Sequence, residues 1–176
     1  MKRKKSILKW LGIIAAVCLA AFLAAFISNT RISTASYTVA LEDLESPLRL
    51  VLISDLHGKS FGKDNARLIA KIQEQTPDAI FLDGDMIDSR ADSPDVQELL
   101  RLIESLCEIA PVFFSMGNHE QVYLKTDETL LDRIAQTGAV VVNDSYADVT
   151  LGGQPLRIGG TMGYGFAFGR TEEEFT

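Results

Sequence analysis

A chain of 176 residues with a net charge of −7 has room for one domain with a real core and excludes two large ones. The charge is unevenly divided. The first nine residues, MKRKKSILK, hold five Lys/Arg and no acid, which leaves twelve basic residues against twenty-four acidic ones in the remainder. An acidic body argues against a nucleic-acid-binding surface, which needs clustered cations, and is compatible with a site that gathers carboxylates around metal ions.

Residues 1–9 read as a basic cytoplasmic N-terminus. Trp10–Ile27 follows without a charge, and eighteen apolar residues at 1.5 Å rise span about 27 Å, close to the hydrocarbon thickness of a bilayer. With the cations before it, the run predicts a transmembrane anchor over 10–28, with everything after it on the extracytoplasmic side. A cleaved secretory signal is the rival, but its apolar core is only about 7–15 residues, and the small-x-small candidates around Cys18–Ala20 fall inside this run. Residues 29–46 are polar and Ser/Thr-rich and read as a linker, with an edge strand at Tyr37–Leu41.

From Pro47 the pattern alternates. LRLVLI (48–53) reads as a buried strand, and 63–75 as a helix that stops before Pro77. AIFL (79–82) is a second strand. In 93–110 Ser93 reads as N-cap and Pro94 as the first helical residue, with apolar positions at helical spacing. VFFS (112–115) is a third strand, 127–138 a helix ending at Gly138, and AVVV (139–142) a fourth strand. The segment 146–160 reads as a hairpin turning at Gly152–Pro155. The fold class is therefore α/β, a largely parallel sheet with helices packed on it and an antiparallel portion beginning at the hairpin. Cys18 and Cys107 lie in different environments, so no disulfide is expected.

Ligands in open α/β sheets bind beyond the carboxyl ends of the strands. Here three successive strands end in polar clusters: Asp55-Leu56-His57-Gly58, Gly84-Asp85-Met86-Ile87-Asp88 and Gly117-Asn118-His119-Glu120. Each alone is an ordinary turn sequence. Together and in this order, the chain resembles the calcineurin-like metallophosphoesterases, whose pattern is D-x-H, G-D-x-x-D and G-N-H-[DE], followed by a separate His and a G-H-x-H. The motif match covers residues 48–120, and with the N-terminal run the chain resembles the membrane-associated bacterial branch.

The resemblance implies a metallophosphoesterase-type β-sandwich core flanked by helices, and two divalent metal ions (Mn, Fe, Zn or Mg). It implies Asp55 and His57 as ligands of the first metal, Asp85 as the bridging carboxylate and Asn118 as an amide ligand of the second. It implies His119 as the catalytic histidine, while Asp88 and Glu120 match the motifs as groups that support the ligands. The implied activity is hydrolysis of a phosphomonoester, phosphodiester or pyrophosphate by a hydroxide held between the metals. The implied partners are a phosphate-ester substrate, lipid or envelope-derived given the anchor, and the bilayer itself; no nucleic acid is expected. A carboxylate offers two oxygens to two cations, and bound metals lower the pKa of water towards neutrality.

The pattern then breaks, because no histidine follows His119. Asp144, Asp148 and Glu172–Glu174 are candidate oxygen donors, and Glu172–Glu174 reads more simply as a solvated charge run. The expectation is that residues 47–176 are the N-terminal portion of such a domain. The alternative is a non-catalytic, membrane-tethered binding or scaffold domain on the same fold.

Overall fold

In a computed structural model the chain forms two compact units that divide between Val39 and Ala40, and the structure describes residues 2–41 and 44–161. The first unit holds one helix, α1 (Lys2–Thr30). Its described side chains from Trp10 to Ala24 are all exposed. Among the described residues no helix is long and apolar enough to cross a membrane. The transmembrane anchor expected over 10–28 is thus not supported. Nor does Tyr37–Leu41 form the expected edge strand.

The second unit is built on four parallel strands, β1 (Leu50–Ile53), β2 (Ala79–Asp83), β3 (Val112–Ser115) and β4 (Val140–Val141), side by side in that order. Leu50 pairs with Ala79 and Ile53 with Leu82; Ile80 pairs with Val112 and Asp83 with Ser115. Strand residues alternate between faces. Ala79, Phe81 and Phe113 therefore share one face, where the Phe81 and Phe113 rings stack at 5.3 Å. Onto that face folds a hairpin, β5 (Ser145–Leu151) and β6 (Gln154–Gly160), whose Val149, Leu151, Leu156 and Ile158 close the core. The hairpin leaves Leu50 and Leu52 of β1 exposed. Its turn is the Gly152–Gly153 pair, both at positive φ, so Gln154 and Pro155 already belong to β6 and not to the expected turn.

The opposite face carries the helices: α2 (Ala66–Gln73, after a 3-10 turn at Lys63–Asn65), α3 (Ser93–Cys107) and α5 (Leu130–Gln136), with α3 lying against β3 between the other two. Helix α3 buries Val96, Leu99, Leu100, Ile103 and Leu106 at the expected spacing, with Leu102 buried besides and Cys107 only half-buried. Its N-cap is Asp92 rather than Ser93. The Asp92 carboxylate accepts from the Asp95 N–H at 3.1 Å and Asp95 accepts in return from the Asp92 N–H at 3.0 Å. A short helix, α4 (Asn118–Tyr123), stands where the sequence suggested only a polar loop. The end of the expected linker is also fixed: Gln154 accepts from the N–H groups of Glu45 (2.6 Å) and Ser46 (3.2 Å). The tail from residue 162, including Glu172–Glu174, lies outside the described residues.

Candidate metal centre

The three polar clusters meet beyond the carboxyl ends of β1, β2 and β3. The first loop continues the β1–β2 ladder past the strands: the N–H groups of Asp55, His57 and Gly58 donate to the carbonyls of Gly84, Asp85 and Met86 at 3.1, 2.9 and 2.9 Å. This geometry requires unusual backbone. Asp55 (φ 57°), His57 (φ 48°) and Asp85 (φ 53°) all lie in the left-handed region, which L-residues with a Cβ rarely adopt. Such conformations persist where the surrounding structure over-determines them, and they cluster at functional sites.

The second and third loops pack backbone against backbone. A Cβ on Gly84 would fall 2.9 Å from the Met116 carbonyl carbon and still closer to Gly117, and one on Gly117 would strike the Asp85 carboxylate. Both motif glycines are therefore required by close approach. Glu120 locks the contact. It is fully buried and its Oε2 accepts from the N–H groups of Asp85 (2.8 Å) and Gly117 (2.9 Å), while Oε1 accepts from Met86 (2.7 Å) and Ile87 (3.1 Å). Four donors to one carboxylate offset the cost of burying its charge.

Two clusters result. Asp55, His57 and Asp85 each offer a ligand atom within 4.8 Å of the others, and so do His57, Asp88 and His119. His57 and Asp55 are solvent-accessible, with side chains 39% and 66% exposed and His57 Nε2 at 3.9 Å from Asp55 Oδ1. The His57 and His119 rings lie edge to face at 4.5 Å. Asp85 Oδ1 accepts from the His119 N–H at 2.9 Å. His119 Nδ1 in turn accepts from the Ser89 main-chain N–H at 3.0 Å. In the neutral ring the proton therefore sits on Nε2.

Asn118 opens α4 and is half-buried. Asp88 accepts from the Arg90 N–H at 2.9 Å. Asp83 ends β2 exposed. Asp148 is away from the centre's loops, on the hairpin, where Arg157 donates to both its oxygens at 2.7 and 3.0 Å and holds its carboxyl below the usual range. Nothing in the residue order marks the Ser89 N–H, because a main-chain donor leaves no trace in residue type. Sequence reasoning also passed over buried Asn65, whose amide oxygen accepts from the Phe61 N–H (2.9 Å) and whose Nδ2 donates to Glu98 (3.1 Å), tying the end of the first loop to α3.

One imidazole and two carboxylates at this separation fit one divalent cation of mixed nitrogen and oxygen preference. Parallel strands bearing such clusters at their carboxyl ends, with helices on one face and a second sheet on the other, define an α/β framework with a candidate metal centre at its strand ends. Comparison then fixes the family: the calcineurin-like phosphoesterase model matches residues 48–172, and the chain belongs to that family. An uncharacterized metallophosphoesterase of Campylobacter jejuni is 29% identical over 87 residues, 48% of this chain and 23% of the relative. A zebrafish (Danio rerio) protein named a transmembrane protein with metallophosphoesterase domain is 31% identical over 107 residues, 58% of this chain and 23% of the relative. An uncharacterized metallophosphoesterase of Bacillus subtilis, YkoQ, is 24% identical over 118 residues, 66% of this chain and 44% of the relative. The chain thus spans less than half the length of each of these relatives.

Proposed function

We propose that the three loops form the divalent-metal centre of a phosphoesterase, with Asp55, His57 and Asp85 holding a first cation. Asp85 and Asn118 contribute to a second, and His119 faces the substrate. The observation that carries this reading is the convergence of one donor atom each from Asp55, His57 and Asp85 within 4.8 Å. When bound, the cations supply Lewis-acid polarisation of a phosphoryl oxygen and an activated water. The protein's own part is positional. The Ser89 N–H holds the His119 ring, leaving Nε2–H as a donor for the leaving oxygen or the phosphate. The His119 N–H engages one Asp85 oxygen and fixes the rotation of that carboxylate. Asp88 supports the pair of imidazoles from the side.

The substrate class under this reading is a phosphate ester or pyrophosphate. Hydrolysis of a chromogenic phosphodiester with added Mn²⁺ tests it, with D85N and H119A alongside. The proposal expects activity that D85N abolishes and H119A lowers by about 10²–10⁴-fold. Activity indifferent to both substitutions would refute it, and Mn²⁺ binding without hydrolysis would favour the non-catalytic binding domain.

Membrane placement, with the domain extracytoplasmic and a lipid or envelope-derived substrate, draws its support from the uncharged run Trp10–Ile27 behind five cations. Alkaline extraction of membranes tests it: release of the chain into the soluble fraction would remove that part of the reading.

A further inference from the structure

We infer that Glu120 is the positioning residue that presets Asp85 as a metal ligand before any cation binds. The N–H groups of Asp85, Met86 and Ile87 are consecutive and all point at one carboxylate. Successive main-chain donors in this arrangement form an anion-binding nest, and here the protein fills it with its own side chain. The nest is therefore not a phosphate site; it is a lock. An acceptor that gathers three successive N–H groups requires the local chain reversal that Asp85 makes at φ 53°. The fourth donor, Gly117 N–H, adds the third loop to the same carboxylate. One side chain thus joins the loop of Asp85 to the loop of Asn118 and His119, and the His119 N–H then orients the Asp85 carboxylate.

All four contacts are made with the protein's own groups, so the loop is ordered by folding and not by the metal. A cation that meets a preset ligand binds without the cost of ordering it. In E120Q an amide NH₂ would face main-chain N–H donors and the charge would be gone. In E120D the charge stays, but the side chain is one methylene too short to reach all four donors.

The inference rests on the phosphoesterase reading only for the cation, and the test separates the two. Mn²⁺ affinity of the metal-free full chain is measured by electron paramagnetic resonance for wild type, E120Q, E120D and D85N. F113A serves as a variant destabilised in the core beneath the hairpin. Amide hydrogen exchange at residues 85–87 is followed in the metal-free wild type and E120Q. The expected result is a roughly 10–100-fold weaker Mn²⁺ affinity in E120Q, a smaller loss in E120D, wild-type affinity in F113A, and faster exchange at 85–87 in E120Q. Mn²⁺ affinity in E120Q equal to that of F113A would overturn the inference. Should wild type bind no Mn²⁺, the metal reading fails, and unchanged exchange in E120Q would then overturn the lock as well. Should E120Q not fold, E120D decides by the same criteria.

Discussion

Replacing Gly84 by alanine tests the backbone-on-backbone packing that brings the second and third loops together. Two costs add. At φ 73° an alanine is held in the left-handed region, which costs about 1–2 kcal/mol. Its Cβ would also lie 2.5 Å from Gly117 Cα and 2.9 Å from the Met116 carbonyl carbon, main-chain atoms that cannot rotate away. Overpacking of that kind costs about 1–3 kcal/mol. The total is roughly 3 kcal/mol, and at this chain length each kcal/mol lowers Tm by about 2–4 °C. Gly153 supplies the control, because its φ is 82° but a Cβ there meets nothing within 4 Å. G153A should therefore lose only the first term, about 1 kcal/mol. Urea denaturation of both variants measures the difference, expected at ~2 kcal/mol. Equal destabilisation, within about 0.5 kcal/mol, would show that the loops are not packed as described.

Three further outcomes follow from the same geometry. Asp127 accepts from the Thr129 hydroxyl (2.6 Å), the Thr129 N–H (3.0 Å) and Arg133 (2.8 Å), which hold its carboxyl below the usual range. A depressed carboxyl stabilises the fold fully above its unfolded pKa, near 4, and that contribution is lost as pH falls through the folded value. Unfolding midpoints taken from pH 7 down to pH 3 should fall less steeply in D127N than in wild type; parallel curves would count against this pairing. Burial first, and then the charge of Glu104, push the Cys107 thiol upward, partly offset by a hydrogen bond with Thr137. Iodoacetamide at pH 7.5 should modify Cys107 more slowly than free cysteine until the protein unfolds, and equal rates would contradict the burial. Phe113 stacks on Phe81 beneath the hairpin, so F113A should cost about 3–5 kcal/mol by denaturation, and a loss under 1 kcal/mol would mean the hairpin does not close that face.

The sequence made the central strands legible because buried parallel strands are unbroken apolar runs. AIFL and VFFS were bounded to within one residue of β2 and β3. Helix α3 was legible from its apolar stripe, although its cap shifted to Asp92, since two candidate caps adjoin and only the reciprocal bond with Asp95 decides between them. Helix α4 escaped notice because six residues carry too little periodicity to register. Its sign was the Gly117-x-x-Glu120 spacing, a Glu reaching back to the cap N–H. The motif residues could be named from the chain. Their left-handed backbone, the buried carboxylate of Glu120 that enforces it at Asp85, and the Ser89 N–H on His119 depend on how loops from different strands meet. Residue order alone does not encode those contacts in readable form.

The central claim is that Asp55, His57 and Asp85 jointly hold a divalent cation. Crystals soaked in Mn²⁺ and measured at the manganese absorption edge test it most directly. The account predicts an anomalous peak about 2.0–2.3 Å from a carboxylate oxygen of Asp55, a ring nitrogen of His57 and a carboxylate oxygen of Asp85, and the loss of that peak in D85N. No peak among these three side chains, or one that persists undiminished in D85N, would contradict it.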